Sequence, residues 1–266
     1  MALTYLRHQL HLHRHKIVAL VVLALAGLGQ QAAAQGRLKG ENLPGYEHRK
    51  LRWGFSLGLN HSWYQLEHSE YYVQRIDPSS NPDNDPRTPD GVYAPYSMNQ
   101  KPGIGFNVNF ITTYRLNQDF VLRAQPGVGY HSRAIQYKDL PADPEMNFAG
   151  GDVLQEVNTF SGEFPVLVKY EANRRKNTQM YFVAGVKPSL VIGGQKKGAE
   201  YLQLKTFDFT IEYGVGLDMF YPFFKFAPEL RYSRGIGNIH KPADSIYNNS
   251  IQQLNTNTVT LYLNFE

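Results

Sequence analysis

The amino-acid sequence predicts an all-β protein, specifically an eight-stranded antiparallel transmembrane β-barrel of the outer membrane, with long extracellular loops and short periplasmic turns. Three observations predict this class. Eight segments alternate apolar and polar residues with period two, the connections between them are alternately long and short, and the chain begins with an export signal. Because strand side chains point alternately to opposite faces, each segment would have one apolar and one polar face.

The clearest segment runs from Phe207 to Met219. Large apolar side chains occupy its odd positions, and Asp, Thr, Glu or Gly occupies its even positions. At about 3.3 Å per residue, a strand of this length crosses a bilayer core at a tilt. The other seven segments lie near 53–63, 103–114, 120–131, 163–170, 182–192, 224–232 and 258–265.

The connections between these segments alternate in length. The long ones lie near 67–100, 138–152, 193–205 and 235–254, and the short ones near 116–119, 172–177 and 221–222. An even-stranded barrel with both termini in the periplasm has long outer loops and short inner turns. The pattern therefore predicts which end of each strand faces the periplasm.

Aromatic residues recur at the inner ends of the predicted strands. Such residues form girdles at membrane interfaces, where their rings lie at the level of the lipid headgroups. The predicted girdle consists of Trp53, Tyr114, Phe120, Tyr170, Tyr221, Phe224 and Phe265.

The polar face is rich in Gly, Asn, Ser and Thr and carries charges of both signs in near balance. The predicted lumen network consists of Arg123, Lys169, Lys187, Lys225 and Arg231 with Glu163, Asp208, Glu212, Asp218 and Glu229. An eight-stranded barrel leaves room only for side chains, so we expect a structural plug of ion pairs. Two alternatives remain: an ion path through these charges, or a soluble barrel with its apolar face inward.

The N-terminus predicts secretion. Arg7, Arg14 and Lys16 precede an apolar run, Ile17–Leu28, and small residues at Ala32–Ala34 form a cleavage site. The apolar run is too short for a membrane-spanning helix. We predict a signal peptide over 1–34, a periplasmic N-terminal segment over 35–51 and the barrel over 52–266. Export and the strand pattern together predict the outer membrane of a Gram-negative bacterium.

The composition argues against several other classes. The chain has no cysteine, which excludes disulfides, thiolate zinc sites and a lipoprotein anchor. A net charge of +4, spread along the chain, argues against a nucleic-acid surface. His61–Ser62 and His131–Ser132 are neighbouring pairs, but adjacent strand residues point to opposite faces and cannot form a dyad. We therefore predict no enzyme, no catalytic residue, no cofactor and no small-molecule substrate.

Two loops carry charge. Carboxylates in the 77–90 loop could hold calcium, but their spacing is not that of an EF-hand, and we predict no metal site. The turn Arg174–Lys176 is expected to be a solvated periplasmic turn near lipid headgroups, with docking of a partner as the alternative.

Five stretches, in order, resemble the PorT/SprT family of outer-membrane barrels in the type IX secretion and gliding-motility system. They are Asn42–Tyr46, Trp53–Asn60, Glu163–Tyr170, Asp218–Glu229 and Leu261–Glu266. The similarity spans nearly the whole mature chain. One departure from the wider barrel pattern is that the terminal aromatic residue is penultimate.

The resemblance implies a non-enzymatic role in exporting other proteins across the outer membrane. It implies secretion-machinery proteins as partners, beside outer-membrane lipid and lipopolysaccharide, and it assigns no functional residue. The alternative is a general small outer-membrane barrel for adhesion or small-solute passage. A third hypothesis, a lipid-modifying enzyme, lacks a catalytic constellation.

Overall fold

The computed structural model describes residues 40–69, 97–140, 151–194, 202–242 and 250–266. The predicted signal peptide and the 77–90 loop lie outside the described residues. A short 3-10 helix, Tyr46–His48, precedes ten strands. The strands are β1 Leu51–His68, β2 Ser97–Arg115, β3 Phe120–Ala124, β4 Gly127–Leu140, β5 Gly151–Glu163, β6 Val166–Glu171, β7 Thr178–Gly193, β8 Phe207–Phe220, β9 Lys225–Gly235 and β10 Ile251–Phe265.

The ten strands close into one antiparallel barrel. Strand β1 pairs with β10 on one side and with β2 on the other, so the sheet returns to its first strand. Strands β3 and β4 lie end to end and share one strand position in the wall, because both pair with β2. Strands β5 and β6 likewise share one position, because both pair with β7. The barrel therefore has eight strand positions in its wall, which confirms the predicted all-β barrel.

Prolines cause the two breaks, which the sequence pattern did not predict. Pro126 separates β3 from β4, and Pro165 separates β5 from β6, because proline has no N–H for the strand ladder. Backbone bonds still cross the breaks: Gln125 N donates to Pro165 O at 2.9 Å, and Phe164 N donates to Pro188 O at 3.0 Å. The wall stays closed at these points.

The two faces of the wall lie as predicted. Along β8, Ile211 and Val215 are 46% and 47% exposed, whereas Glu212 and Asp218 are buried. The same alternation holds on β1, where Phe55 is exposed and Ser56 is buried. The apolar face is thus the outer one. Among the described residues, no helix is both long and apolar enough to cross a membrane.

The connections also have the predicted lengths. Short turns at 116–119, 172–177 and 221–224 join strands at one end, called here the short-turn end. The opposite end, the long-loop end, carries the connections 69–96, 141–150, 194–206 and 236–250. The strands extend further than predicted at that end, and β1, with 18 residues, is roughly 60 Å long at about 3.3 Å per residue.

In the extra length of the strands at the long-loop end, the inner face is apolar and the outer face is polar, the reverse of the rest of the wall. There the interior holds a buried apolar core, and the exterior carries exposed polar residues such as Gln65, Glu67 and Glu156. The core consists of Tyr64, Met98, Ile135, Tyr137, Val157, Leu202, Leu204, Ile239, Ile251 and Leu254. Water in place of lipid outside this region explains the reversal, because apolar side chains then gain by facing inward.

Two chain segments enter the barrel to complete this apolar core. Leu204 and His240 form a β-bridge between them. Lys205 N donates to Ile239 O at 2.8 Å, and Ile239 N donates to Leu254 O of β10 at 2.9 Å. The bonds fasten both segments to the wall, so the core fills the barrel interior at the long-loop end.

Substitution of Val215 tests which face meets lipid. The change Val215→Arg places a charge on the outer apolar face and is expected to cost about 2–4 kcal/mol of unfolding free energy in vesicles. Val215→Leu is the matched control and should be near neutral. Gly216→Arg should also destabilise, for a different reason, because a side chain there collides with the Tyr181 ring. Unchanged urea unfolding of Val215→Arg would contradict the assignment of faces.

Candidate functional site

The lumen is the most highly charged part of the described structure. All ten residues of the predicted lumen network lie on the inner face of the wall; nine are buried, and Asp208 is partly buried. The structure brings them into three layers between the short-turn end and the apolar core. Each layer is held by carboxylates that bind more than one cation.

The layer at the short-turn end joins four strands. Lys169 Nζ lies 2.5 Å from Asp218 Oδ2 and 3.0 Å from a Glu171 oxygen. Arg52 binds the same Glu171 carboxylate at 3.0 Å. Lys225 Nζ lies 2.7 Å from Glu266 Oε2. No side chain in these pairs is more than marginally exposed, so each charge needs its partner.

The middle layer centres on Glu229. Its Oε2 accepts from Arg123 Nη1 and from the Tyr181 hydroxyl, both at 2.8 Å. Its Oε1 accepts from Arg231, which also donates to Glu212 Oε2 at 2.9 Å. Two arginines from opposite walls thus share one carboxylate, which ties β3 to β9 through the lumen.

The upper layer centres on Glu163. Asn107 Nδ2 donates to Glu163 Oε2 at 2.9 Å, and His131 Nε2 lies 2.7 Å from Oε1. Lys187 Nζ lies 3.6 Å from Glu163 and 3.1 Å from Glu212, which links this layer to the middle one. The contacts make this layer a set of buried ion pairs and hydrogen bonds.

Sequence reasoning missed four charged members of the network: Arg52, Arg115, Glu171 and Glu266. All four are buried or half-buried at the short-turn end. Arg52 and Glu171 continue the period-two alternation of their strands beyond the expected strand ends, so an extended count would have found them. Glu266 follows the last strand, and only its contacts with Arg123 and Lys225 reveal its role.

A segment before β1 covers the short-turn mouth of the barrel. This segment, residues 42–50, is called here the strap. Asn42 N donates to Asn177 Oδ1 at 2.8 Å, and Asn42 Nδ2 donates to Phe220 O at 2.9 Å. Arg174 binds Glu47 at 2.8 Å and lies over the Phe220 ring. The strap therefore reaches from β8 and the β6–β7 turn to β1, and it belongs to the same folded unit as the barrel.

Tyr46 is the strap residue that enters the lumen mouth. It is only 8% exposed, packs edge-on against Phe220, and lies beside Arg52 and Lys225 at 5.6 and 5.5 Å from its ring centroid. Burial, followed by the charge of Glu266, raises the pKa of the Tyr46 hydroxyl well above its usual value. Partial burial opposes ionisation of Glu47, but a backbone bond and Arg174 outweigh it and lower the pKa of this carboxyl.

The predicted girdle residues lie at the short-turn end and mostly face outward. Trp53 stacks near Phe110 at 5.5 Å, Phe120 near Tyr170 at 5.4 Å, and Tyr221 on Phe224 at 5.1 Å. Tyr114 is exposed, and Phe265 is partly covered by neighbouring rings. Phe223, which the prediction omitted, is 93% exposed in the turn beside them.

The histidine–serine pairs form no dyad. His131 faces the lumen and bonds to Glu163, and Ser161 donates to that same carboxylate at 3.4 Å rather than to the histidine. Gly54–Gly58 has the Gly-x-Ser-x-Gly spacing, which the expectation of no catalytic residues did not take into account. Its Ser56 lies within β1 on the inner face, whereas a nucleophile elbow needs a turn between strand and helix.

Metal ligands are also scattered. The described residues contain no group of three or more His, Cys, Asp or Glu side chains placed to hold a metal ion. The arrangement is instead suited to holding the barrel together, because its carboxylates already bind Arg, Lys, amide or hydroxyl donors.

The chain matches the family described as outer membrane protein beta-barrel domain over residues 31–241. It belongs to this family. The match confirms the predicted location in the outer membrane of a Gram-negative bacterium. No curated protein matches the chain.

Two solved structures with similar folds are also outer-membrane proteins. OprG from Pseudomonas aeruginosa is 10% identical, with coverage of 80% of this chain and 93% of that one and a TM-score of 0.42. Neisserial surface protein A is 12% identical, with coverage of 81% and 98% and a TM-score of 0.37.

Substitution of Glu229 tests the ion network. The change Glu229→Gln keeps the size of the side chain but leaves Arg123 and Arg231 with one fewer buried counter-charge, so it is expected to cost about 3–5 kcal/mol of unfolding free energy. Glu156→Gln, at an exposed position on β5, is the matched control and should stay within about 0.5 kcal/mol. Equal urea midpoints for both variants in vesicles would show that the network contributes no stability.

Proposed function

We propose that this outer-membrane barrel is a non-enzymatic component required for protein export through the type IX secretion system, and for gliding motility where that is present. The barrel would act by contacts at its ends. The proposal combines the PorT/SprT resemblance with the positions of the resembling residues. A transport role for the lumen is not part of it.

The observation that carries the proposal is that three of the five resembling stretches meet around one end of the barrel. Asn42–Tyr46 is the first part of the strap, Asp218–Glu229 spans the β8–β9 turn, and Leu261–Glu266 ends β10. These stretches touch one another: Asn42 bonds to Phe220, and Lys225 binds Glu266. Stretches far apart in the chain thus build one structural unit, which supports a shared role for the short-turn end.

The surface of this end offers chemistry for a protein partner. Arg49, Lys50, Arg175 and Lys176 are exposed cations, and Phe223 is a nearly fully exposed aromatic residue. Exposed aromatic side chains and arginines are common anchors in protein interfaces. A periplasmic component of the secretion machinery with an acidic, partly apolar face would fit this surface.

Small-solute passage, one of the alternatives, has less support from the geometry. Small-solute passage needs a free path, but Tyr46, three layers of ion pairs and the apolar core fill the described lumen in succession. Adhesion would depend on the long loops, which lie largely outside the described residues. For catalysis, the nearby Ser161 hydroxyl donates to Glu163 and not to His131, so no serine–histidine dyad forms there, and we propose no enzymatic role.

Deletion of the gene, followed by complementation, tests the proposal. Cargo of the type IX system should stay inside the deletion strain, and the wild-type gene should restore its export. Normal export in the deletion strain would refute the role.

A surface substitution tests which end of the barrel acts. Phe223→Ala should weaken docking by about 2 kcal/mol if the ring is an interface anchor, and export should fall while the barrel level stays constant. Ile236→Ala, at an exposed apolar position just after β9 near the long-loop end, is the matched control and should export normally. Defects confined to Ile236→Ala would place the working surface at the opposite end.

A further inference from the structure

A cavity of about 50 Å³ lies in the lumen between the upper layer of the ion network and the apolar core. It is called here the upper cavity. His131, Glu163 and Lys187 line its lower side, and Tyr64, Leu204 and Ile239 line its upper side. Because about 10–15 Å³ of such volume is enough to hold one water molecule, the cavity has room for one small ion or a few waters.

Arg133, which also lines this cavity, differs from the other inward-facing cations. Arg52, Arg115, Arg123, Lys169, Lys187, Lys225 and Arg231 each lie within 4.0 Å of at least one carboxylate. Arg133 has no such carboxylate among the described residues, and its Nε is buried without a hydrogen-bond partner. Its guanidinium lies 5.4 Å from the centroid of the Tyr64 ring. A partly buried arginine without a counter-charge is costly, and an anion would remove that cost.

The cavity supplies further hydrogen-bond donors. Six hydroxyl groups line it, and four of them already donate elsewhere: Ser161 to Glu163, Ser189 to Asp208 O, Thr210 to Lys187 O and Thr256 to Asp208. The hydroxyls of Thr159 and Thr258 make no such bond among the described residues and are the donors left to the cavity. His131 adds no donor, because its Nε2–H donates to the Glu163 carboxylate and Nδ1 of the neutral ring is an acceptor. Hydroxyl groups are donors suited to a small anion.

The balance of charge around the cavity also favours an anion. Three cations, Arg133, Lys187 and Lys205, line it together with two carboxylates, Glu163 and Asp208. Lys187 is already paired with Glu163 and Glu212, so Arg133 and Lys205 are the cations that remain, and they face Asp208. Asp208 accepts from Thr256 Oγ1 at 2.6 Å, although its Oδ1 is free of partners in the described part of the chain. Asp208 therefore opposes an anion and limits its affinity.

We propose that the upper cavity binds one small inorganic anion, a halide or an oxyanion about the size of nitrate. Arg133 provides the charge, and the hydroxyls of Thr159 and Thr258 provide hydrogen bonds. The inference is independent of the secretion role, since it concerns an internal site of the barrel wall.

Bromide is the probe that tests this site, because it mimics chloride and can be located by anomalous scattering. The mature protein, folded in detergent, is titrated with bromide against gluconate at constant ionic strength, and its melting temperature is followed. Ligand binding to the folded state alone raises that temperature in a saturable way. Crystals grown in bromide should show an anomalous peak beside Arg133. A missing peak would overturn the proposal whatever the variants do.

Three variants separate the possible explanations. Arg133→Gln should weaken bromide binding at least tenfold, whereas Arg234→Gln, at an exposed position on β9, should leave it unchanged. Asp208→Asn removes the opposing charge and should tighten binding several-fold. Loss of ion-dependent stabilisation in Asp208→Asn, with stabilisation of the wild type by sodium instead, would identify a cation site and overturn the proposal.

Discussion

The hydrocarbon core of the bilayer is the constraint on which this structure depends. Lipid offers no hydrogen bonds, so the backbone must pair with itself, and only a closed sheet leaves no strand edge. The double pairing of β1 with β2 and β10 meets that demand. The breaks at Pro126 and Pro165 do not violate it, because neighbouring carbonyl groups accept bonds across both of them.

The same constraint explains why the lumen is charged and filled. Polar side chains excluded from lipid must turn inward, and eight wall positions leave a narrow interior. Charges buried there are stable only when paired, and Glu229 shows how this is achieved, since one carboxylate serves Arg123, Arg231 and the Tyr181 hydroxyl. Beyond the lipid, at the long-loop end, the outer face of the wall is in contact with water, and the interior is apolar around residues such as Tyr64 and Ile135. The lumen is therefore polar where lipid surrounds the wall and apolar where water surrounds it.

Much of the barrel could be predicted from the sequence because each strand is specified by the order of residues within that strand alone. The alternation within Phe207–Met219 specifies a strand, its faces and its lumen carboxylates without knowledge of any partner. The strap could not be predicted this way, since Tyr46 is buried by Phe220 and the lumen mouth, which are distant in the chain. The apolar core was missed because, beyond the lipid, the apolar residues of each strand move from the outer face to the inner face. A search for strands with an apolar outer face therefore ends each strand at that point. The cavity beside Arg133 depends on which carboxylates reach which cations, and spacing along one strand does not determine that.

Site-directed spin labelling along β8 tests the central claim that lipid meets the bulky apolar side of this wall. The chain has no cysteine, so single cysteines from position 209 to 217 can be labelled without background. The account predicts that labels at odd positions collide readily with oxygen dissolved in the bilayer and that labels at even positions do not. Uniform accessibility, or oxygen maxima at the even positions, would contradict it.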